Sequence, residues 1–504
     1  MLLPGEGLFN SLLQYRRMGL LRGMKEREYQ ARIARTALEK NTLVCLPTGL
    51  GKTNIAVLVA AQRLEAFPGS RALVLAPTKP LVHQHLASFR KFLSLEEGAF
   101  AAVTGELPPE KRQPLYKATA VFATPQTVQR DLEHERVSLE PFSLLVIDEL
   151  HHAVGKYAYP YIAKRFLKES RQPRILGLTA SPGSRREKIL QICRNTGIEA
   201  VEIRTETDPD VAPYVMAKDV EWVTVTLPES FLTIRSFLES AYRRRLKHFQ
   251  GVRTKKDLLL LQQQFQKSIA RGDWRAYGLA SLVAQALKIE HALTLLETQG
   301  IGMLRKYLRG IRQDTSKAAA SLLNDREFSN ALYLAERLSE QGSRHPKMGR
   351  LCSLVETQLR ESPSSKIIIF ANFRETAREI SAALHSVEGA KPLTLLGQRD
   401  LTQKEQLATI RQYQEEANCL VTTSIGEEGL SLETADLAVF YEPVPSEIRS
   451  IQRRGRVGRT KVGKIAVLVT AKTRDEAYRW VAYRKEKAMK ATLAEMSLKQ
   501  STLD

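Results

Sequence analysis

Between Leu43 and Leu58 the chain reads LVCLPTGLGKTNIAVL, and this stretch restricts the possible folds more than any other. An apolar run from Leu43 to Leu46 gives way to a loop of Pro47, Thr48, Gly49, Leu50 and Gly51, after which Lys52 and Thr53 open a second apolar-rich segment. Strand, phosphate loop, helix is the order it spells. Glycines let the loop turn its N–H groups inward on a phosphate, and the N-terminus of the helix adds the positive end of its dipole. Lys52 supplies a charge for β- and γ-phosphates and Thr53 a hydroxyl for Mg²⁺, with Thr48, Gly49 and Gly51 lining the loop. The strict pattern has glycine five residues before Gly51, where this chain has Leu46, so the loop alone also fits an ordinary glycine-rich turn.

Further short aliphatic runs follow at intervals that suit a parallel sheet. ALVLA ends at Ala76 and runs into Pro77, Thr78 and Lys79; Val121 to Ala123 runs into Thr124, Pro125 and Gln126. Hydroxyl-bearing turns at strand ends could grip a phosphodiester backbone without reading bases, and they equally suit helix N-caps. In LLVIDELHH, the strand Leu144 to Ile147 delivers Asp148 and Glu149 to the C-terminal edge, where doubly wound sheets hold ligands. Asp148 can share a Mg²⁺ ion with Thr53, and Glu149 can orient and deprotonate an attacking water. Another strand, Ile175 to Leu178, ends in Thr179, Ala180 and Ser181. Upstream of the loop stand Arg27 and Gln30, whose amide could both donate to and accept from an adenine, although a surface helix explains them too.

The net charge of +21 favours a polyanionic partner, nucleic acid before membrane. The four cysteines lie far apart with no CxxC, which suits reduced thiols and a cytoplasmic setting. Neither a leader peptide nor a run of about 18 apolar residues is apparent. From 213 to 349 strands become scarce and helix-compatible stretches take over, such as Asp257 to Ile269 and Asp273 to Leu296. Between Met216 and Arg350 there are 23 Lys and Arg against 13 Asp and Glu, an excess of 10. Arg243, Arg244, Arg245 and Lys247 cluster, as do Arg253, Lys255 and Lys256; Arg305, Lys306, Arg309 and Arg312 fall mostly on one helix face. This segment is expected to be a helical insertion touching a nucleic-acid backbone.

After it the sheet pattern returns. KIIIF leads into Asn372, Leu393 to Gln398 forms a short strand and turn, Cys419 to Thr423 a strand, and Leu437 to Tyr441 another. The fold class is therefore α/β, with two parallel-sheet halves at 1–212 and 350–504 and a helical domain at 213–349 between them. QRRGRVGR places Gln452, Arg456 and Arg459 in a basic octet, which could bring guanidinium groups to phosphates held on the other half or simply bind backbone.

Together these motifs resemble superfamily 2 helicases and translocases along essentially the whole chain. RxYQ, LPTGLGKT, DELHH, TASP, TSIGEEGL and YEPVPSEIRSIQRRGRVGR, with a helical insert between the halves, are most similar to the archaeal Hef helicases and their eukaryotic relatives in Fanconi-anaemia repair. RIG-I-like and Dicer helicases share the insert. The resemblance implies two RecA-like domains and the cofactors ATP and Mg²⁺. It implies that Arg27 and Gln30 serve the adenine, that Thr48, Gly49, Gly51, Lys52 and Thr53 hold phosphates and metal, and that Asp148 and Glu149 carry metal and water. Gln452, Arg456 and Arg459 would complete the site across a cleft; Thr78, Lys79, Thr124, Gln126, Asn372, Gln398 and Thr423 would lie on the nucleic-acid track. Ser431 departs from the GLD of the fifth block, and no ERKxxxD nuclease signature follows Lys472. The expected activity is ATP-driven movement on branched DNA, associated with the nucleoid, with a separate nuclease or sliding clamp as partner and no membrane. A double-stranded RNA-dependent ATPase and an ATP-gated scaffold are the alternatives.

Overall fold

The computed structural model describes residues 19–181, 183, 186–215, 218–252, 254–397, 402–423, 435–443 and 463–500. Its first sheet contains β1 (Thr42–Cys45), β2 (Arg71–Leu75), β3 (Phe100–Val103), β4 (Ala120–Ala123), β5 (Phe142–Ile147), β6 (Ile175–Thr179) and β7 (Ala200–Ile203). They lie in the order β3-β4-β2-β5-β6-β1-β7, all parallel. Successive side chains along a strand point to opposite faces. Leu43, Leu73, Leu145 and Ile147 therefore enter one core, while Val44, Val74, Leu144 and Val146 enter the other.

Helices cover both faces. α1 (Glu28–Glu39), α2 (Lys52–Ala66) and α3 (Lys79–Phe92) bury Ile33, Val57 and Phe89 against one side. After the single turn α4 (Pro109–Arg112), helices α5 (Pro125–Glu133), α6 (Ala158–Glu169) and α7 (Arg186–Thr196) bury Val128, Ile162 and Ile192 against the other. Each fully buried aliphatic side chain contributes about 1.5–3 kcal/mol, so the two-sided core holds the strand ends firmly.

The second sheet is built from β8 (Lys218–Val225), β9 (Ile367–Phe370), β10 (Pro392–Leu395), β11 (Cys419–Thr422), β12 (Leu437–Phe440) and β13 (Gly463–Thr470). Their order is β10-β11-β9-β12-β13-β8, again all parallel. Between β8 and β9 come α8 (Glu229–Leu246), α9 (Lys255–Ala270), α10 (Ala276–Thr298), α11 (Ile301–Gln313), α12 (Lys317–Leu323), α13 (Arg326–Glu340) and α14 (Pro346–Glu361). α8 and α10 to α13 form a bundle around Phe231, Ile234, Leu293, Leu304 and Phe328. α14 instead packs Leu351 and Val355 onto the second sheet, beside Ala377 and Ile380 of α15 (Arg374–Leu384). α16 (Gln403–Glu415) adds Ile410 and Tyr413 to the opposite face.

Two features depart from expectation. Four strands, β3, β7, β8 and β13, add to those foreseen, and β8 corrects the boundary set at 213. Lys218–Val225 pairs with β13 over eight residues, so it belongs to the second sheet, and the insert's helices begin at Glu229. α10 has the length and apolar composition to cross a membrane, yet half of its most apolar window is buried in the protein. The last helix, α17 (Arg474–Gln500), starts beside β13 and carries Met489 into the first sheet's core, where Ser181 Oγ donates to its sulfur at 2.9 Å.

Candidate functional site

The phosphate loop leaves β1 and enters α2 with Gly49 at φ 87° and Gly51 at φ 80°, left-handed conformations in which a side chain is strained. Leu46, standing where the usual pattern has glycine, is buried in the core, and its carbonyl accepts from Lys52 Nζ at 3.1 Å. Leu50 is buried too. Its carbonyl accepts from the Tyr29 hydroxyl at 2.6 Å and from Gln30 Nε2 at 3.1 Å, so α1 pins the middle of the loop. A Cβ at Gly51 would lie 2.5 Å from Gln30 Nε2, so the loop leaves room only for glycine there.

That geometry gives Gln30 a part in holding the loop besides the one expected for it. Both ends of its amide are engaged by the chain, Oε1 accepting from the Arg27 N–H at 3.1 Å, and the residue is fully buried. It braces the loop through one N–H and one lone pair of the amide. Arg27 donates to the Tyr29 hydroxyl at 3.1 Å, and its guanidinium lies 4.4 Å from the centroid of the Tyr214 ring. Thr48 and Thr53 are half-buried at the mouth of the loop.

β6 lies between β1 and β5, so Thr179 stands between the loop and the two carboxylates on one sheet edge. Asp148 is 7% exposed. Burial pushes its carboxyl up, but the charge and hydrogen bond of His85, the charge of Lys52 and the Glu149 N–H together hold it below the usual carboxylate range. Since an ionised carboxylate only accepts, His85 Nε2 carries the proton in their 2.8 Å bond. The Tyr159 hydroxyl donates to the Asp148 carbonyl at 2.7 Å, fixing the turn. With Thr53, ionised Asp148 is the hard oxygen set that Mg²⁺ takes.

Glu149 is one of the few non-glycine residues at positive φ, 49° with ψ 50°. Its Oε2 is buried without a hydrogen-bond partner, although His151 Nδ1 lies 3.1 Å away. The imidazole is aimed instead at Thr179 Oγ1, 3.1 Å distant, and that oxygen also accepts from the Ser181 N–H at 3.1 Å. A carboxylate held in a strained turn at this sheet edge, with the His151 ring beside Oε2, can accept a proton from a water. Gly177 permits this arrangement, because Leu150 fills the space that a side chain there would need.

Neighbouring strands set pairs of track candidates side by side. β4 and β2 lead into Thr124 and Thr78, the N-cap residues of α5 and α3. The Thr124 hydroxyl is shared with Thr127 at 2.8 Å, and that of Thr78 is buried without a partner. Lys79 pairs with Glu106 at 2.9 Å, and Gln126 is exposed. On the second sheet, β9 and β11 end at Asn372 and Thr423, the latter buried. Gln398, Gln452, Arg456 and Arg459 lie outside the described residues, as does all of TSIGEEGL after its first threonine.

Several cations of the insert's basic clusters also pair with acids of the protein, most of them with half or more of the side chain still exposed. Arg244 and Arg245 both reach Asp325, at 2.8 and 2.5 Å, and Arg243 reaches Glu239 at 2.9 Å. Lys255 pairs with Glu290 at 3.5 Å. On α11, Lys306 pairs with Glu375 of α15 and Arg312 with Glu336. Arg305 and Arg309 have no ion pair among the described residues.

Sequence reasoning missed several partners. His85 gave no signal beyond one helix with two histidines, and Tyr159 none. Glu442 accepts from the Asn372 N–H at 3.3 and 3.2 Å and from Gln299 Nε2 at 2.7 Å, while Gln299 Oε1 accepts from Thr376 at 2.7 Å. This buried chain ties the end of α10 to the turn that follows β9, between residues remote in sequence.

Residues 27–189 match the DEAD/DEAH box helicase family, 346–461 the helicase conserved C-terminal domain, and 231–342 a helical bundle described for ATP-dependent RNA helicases. The crystal structure of the Pyrococcus furiosus Hef helicase domain superposes with a TM-score of 0.69 at 43% identity, covering 91% of this chain and 98% of that one. A Methanocaldococcus jannaschii protein named as an ATP-dependent RNA helicase is 39% identical over 94% of the chain. The Schizosaccharomyces pombe ATP-dependent DNA helicase fml1 is 32% identical over 88%, and the mouse Fanconi anemia group M protein homolog 30% over 92%. The chain spans 61%, 57% and 26% of these three relatives' lengths.

Proposed function

The chain belongs to the Hef-like DEAD/DEAH box helicases, a family of ATP-hydrolysing enzymes, and on that premise we propose that it is an ATP-driven motor on branched DNA such as forks and four-way junctions. The observation that supports the ATP-driven part of this reading is the shared sheet edge on which the pinned phosphate loop, ionised Asp148 and Glu149 meet, and the likeness to the Hef helicase domain supports the DNA part. Lys52, Gly49, Gly51 and the start of α2 bind and orient the triphosphate. Thr53 and Asp148 would hold Mg²⁺, which neutralises phosphate charge when bound. Glu149 orients the attacking water and takes its proton, while His151 and Thr179 steady the turn that aims it.

In this reading Gln452, Arg456 and Arg459 of the second half stabilise charge on the transferring phosphoryl group, so hydrolysis alters how the halves meet. Thr78, Thr124, Asn372 and Thr423 line a backbone track. Contacts to phosphates dominate, so binding weakens steeply with salt and shows little sequence preference. Work at DNA branches sets the protein in the nucleoid, beside a separate nuclease or sliding clamp.

A second reading, an RNA-duplex-dependent ATPase, is favoured by the helical-bundle match at 231–342 and by the name of the M. jannaschii relative. ATP hydrolysis measured with single-stranded DNA, DNA duplex, fork, four-way junction and RNA duplex separates the two. Stimulation highest with forks and junctions, and displacement of a labelled strand from a fork, is the expected result. Stimulation by RNA duplex alone overturns it, and an intact fork with slow hydrolysis points to an ATP-gated scaffold. Arg456→Ala should lose turnover and keep ATP binding.

A further inference from the structure

Trp274, at the tip of the hairpin formed by α9 and α10, is the most exposed large apolar side chain among the described residues at 73%, and Tyr277 three residues on is at 62%. Trp274 lies just before α10, and the Tyr277 N–H donates to its carbonyl at 3.3 Å, so one turn holds the two residues together at the tip. An indole left this open forgoes the burial that ordinarily makes tryptophan stabilising. The hairpin is otherwise well made. Leu258, Val283 and Ala286 pack with Phe249, Phe265 and Leu287 at its base, and a Thr254–Asp257 capping box starts α9.

The surroundings are basic. Lys267, Arg271 and Arg275 are exposed and have no ion pair among the described residues, and the Arg275 guanidinium lies 5.7 Å from the indole centroid. Asp273, the one acid beside them, is turned back to accept the Arg275 N–H at 3.1 Å. Flat aromatic faces rimmed by cations suit nucleotides, because every base offers a π-face and its phosphate seeks the cation. Lysine is depleted at protein interfaces, and exposed Lys267 stands beside this tip. α9 runs 16 residues, about 24 Å, so the tip stands well beyond the hairpin's own core.

We propose that Trp274 and Tyr277 form a stacking platform for one or two unpaired bases where a branched nucleic acid opens, with Lys267, Arg271 and Arg275 on the flanking phosphates. This deepens, and rests on, the reading of the chain as a motor on branched DNA.

The full chain has three tryptophans, so W222F/W480F leaves Trp274 as the only indole reporter. A fork with single-stranded arms should quench its fluorescence strongly and a blunt duplex of equal length hardly at all. W274A should lose roughly tenfold in fork affinity and keep its duplex affinity, with W274F recovering part of the loss. R271A/R275A should lower the salt dependence by roughly two phosphates and retain the quench. Equal quenching by duplex and fork overturns the platform. So does a W274A chain that prefers forks as strongly as wild type, the result a protein-docking tip would give. A wild type with no preference for forks over duplex overturns instead the branched-DNA reading beneath the platform.

Discussion

Replacing Gln30 with alanine separates two roles for that residue. The substitution removes two short hydrogen bonds, Nε2 to the Leu50 carbonyl and the Arg27 N–H to Oε1, and a long one from Nε2 to the Tyr29 hydroxyl at 3.5 Å, from a fully buried side chain. The Leu50 carbonyl keeps the Tyr29 hydroxyl, so it is not orphaned. At about 1 kcal/mol net for each lost bond and somewhat less for the shed methylene packing, Gln30→Ala should cost about 2–3 kcal/mol in equilibrium urea unfolding. A loop no longer pinned must be ordered by the nucleotide itself, so KM for ATP should rise about tenfold, the equivalent of about 1.4 kcal/mol. KM for GTP should rise in parallel, since the loop sees only phosphates. Unchanged unfolding together with a collapse of ATP over GTP selectivity would refute the clamp and restore direct base reading as the residue's main work.

Lys52→Ala and Glu149→Gln should each abolish ATP turnover while leaving DNA affinity within about twofold, checked by coupled ATPase assay and fluorescence anisotropy. Arg305→Ala with Arg309→Ala should lower the slope of log affinity against log salt by roughly 2, at about 0.9 per phosphate released, whereas Lys306→Ala with Arg312→Ala should change it less because both cations are already paired. His345 is buried, with its Nε2 donating to the Glu297 carbonyl at 3.1 Å, and burial and the neighbouring Lys347 charge lower its pKa to about 3. A depressed histidine leaves the unfolded chain binding the extra proton below its ordinary value of 6.5. Stability is therefore complete above that value and falls as pH drops toward 3, by about 1 kcal/mol between pH 7 and 5.5. His345→Asn should flatten that slope in urea unfolding at the two pH values.

What could be read in advance was local. The alternation of Leu43, Val44, Cys45 and Leu46 and the aliphatic run before Asp148 marked strands and their loaded C-terminal ends, and the loop chemistry followed from residue type and order. β8 escaped because its pattern, KDVEWVTV, alternates as an edge strand does and stands between prolines, Pro213 and Pro228, at the border of the helical insert. The internal partners of the basic clusters were not legible, because a sequence shows charges and not their partners: Asp325, which takes up both Arg244 and Arg245, lies 80 residues on from Arg245. His85 and Glu442 were illegible for the same reason, since each matters through a contact that only the closed sheet creates.

The rooting of the helical bundle has a mechanical consequence. Chain enters it from β8 and leaves it into α14, both built into the second sheet, and Gln299 and Lys306 fasten its flank to Glu442 and Glu375 of that same half. The bundle is thus a boom bolted to one jaw. With α10 about 34 Å long, each 10° swing of that jaw would sweep the boom's far end by on the order of 6 Å, close to two base-pair steps of a duplex, multiplying a small hinge rotation into a stroke.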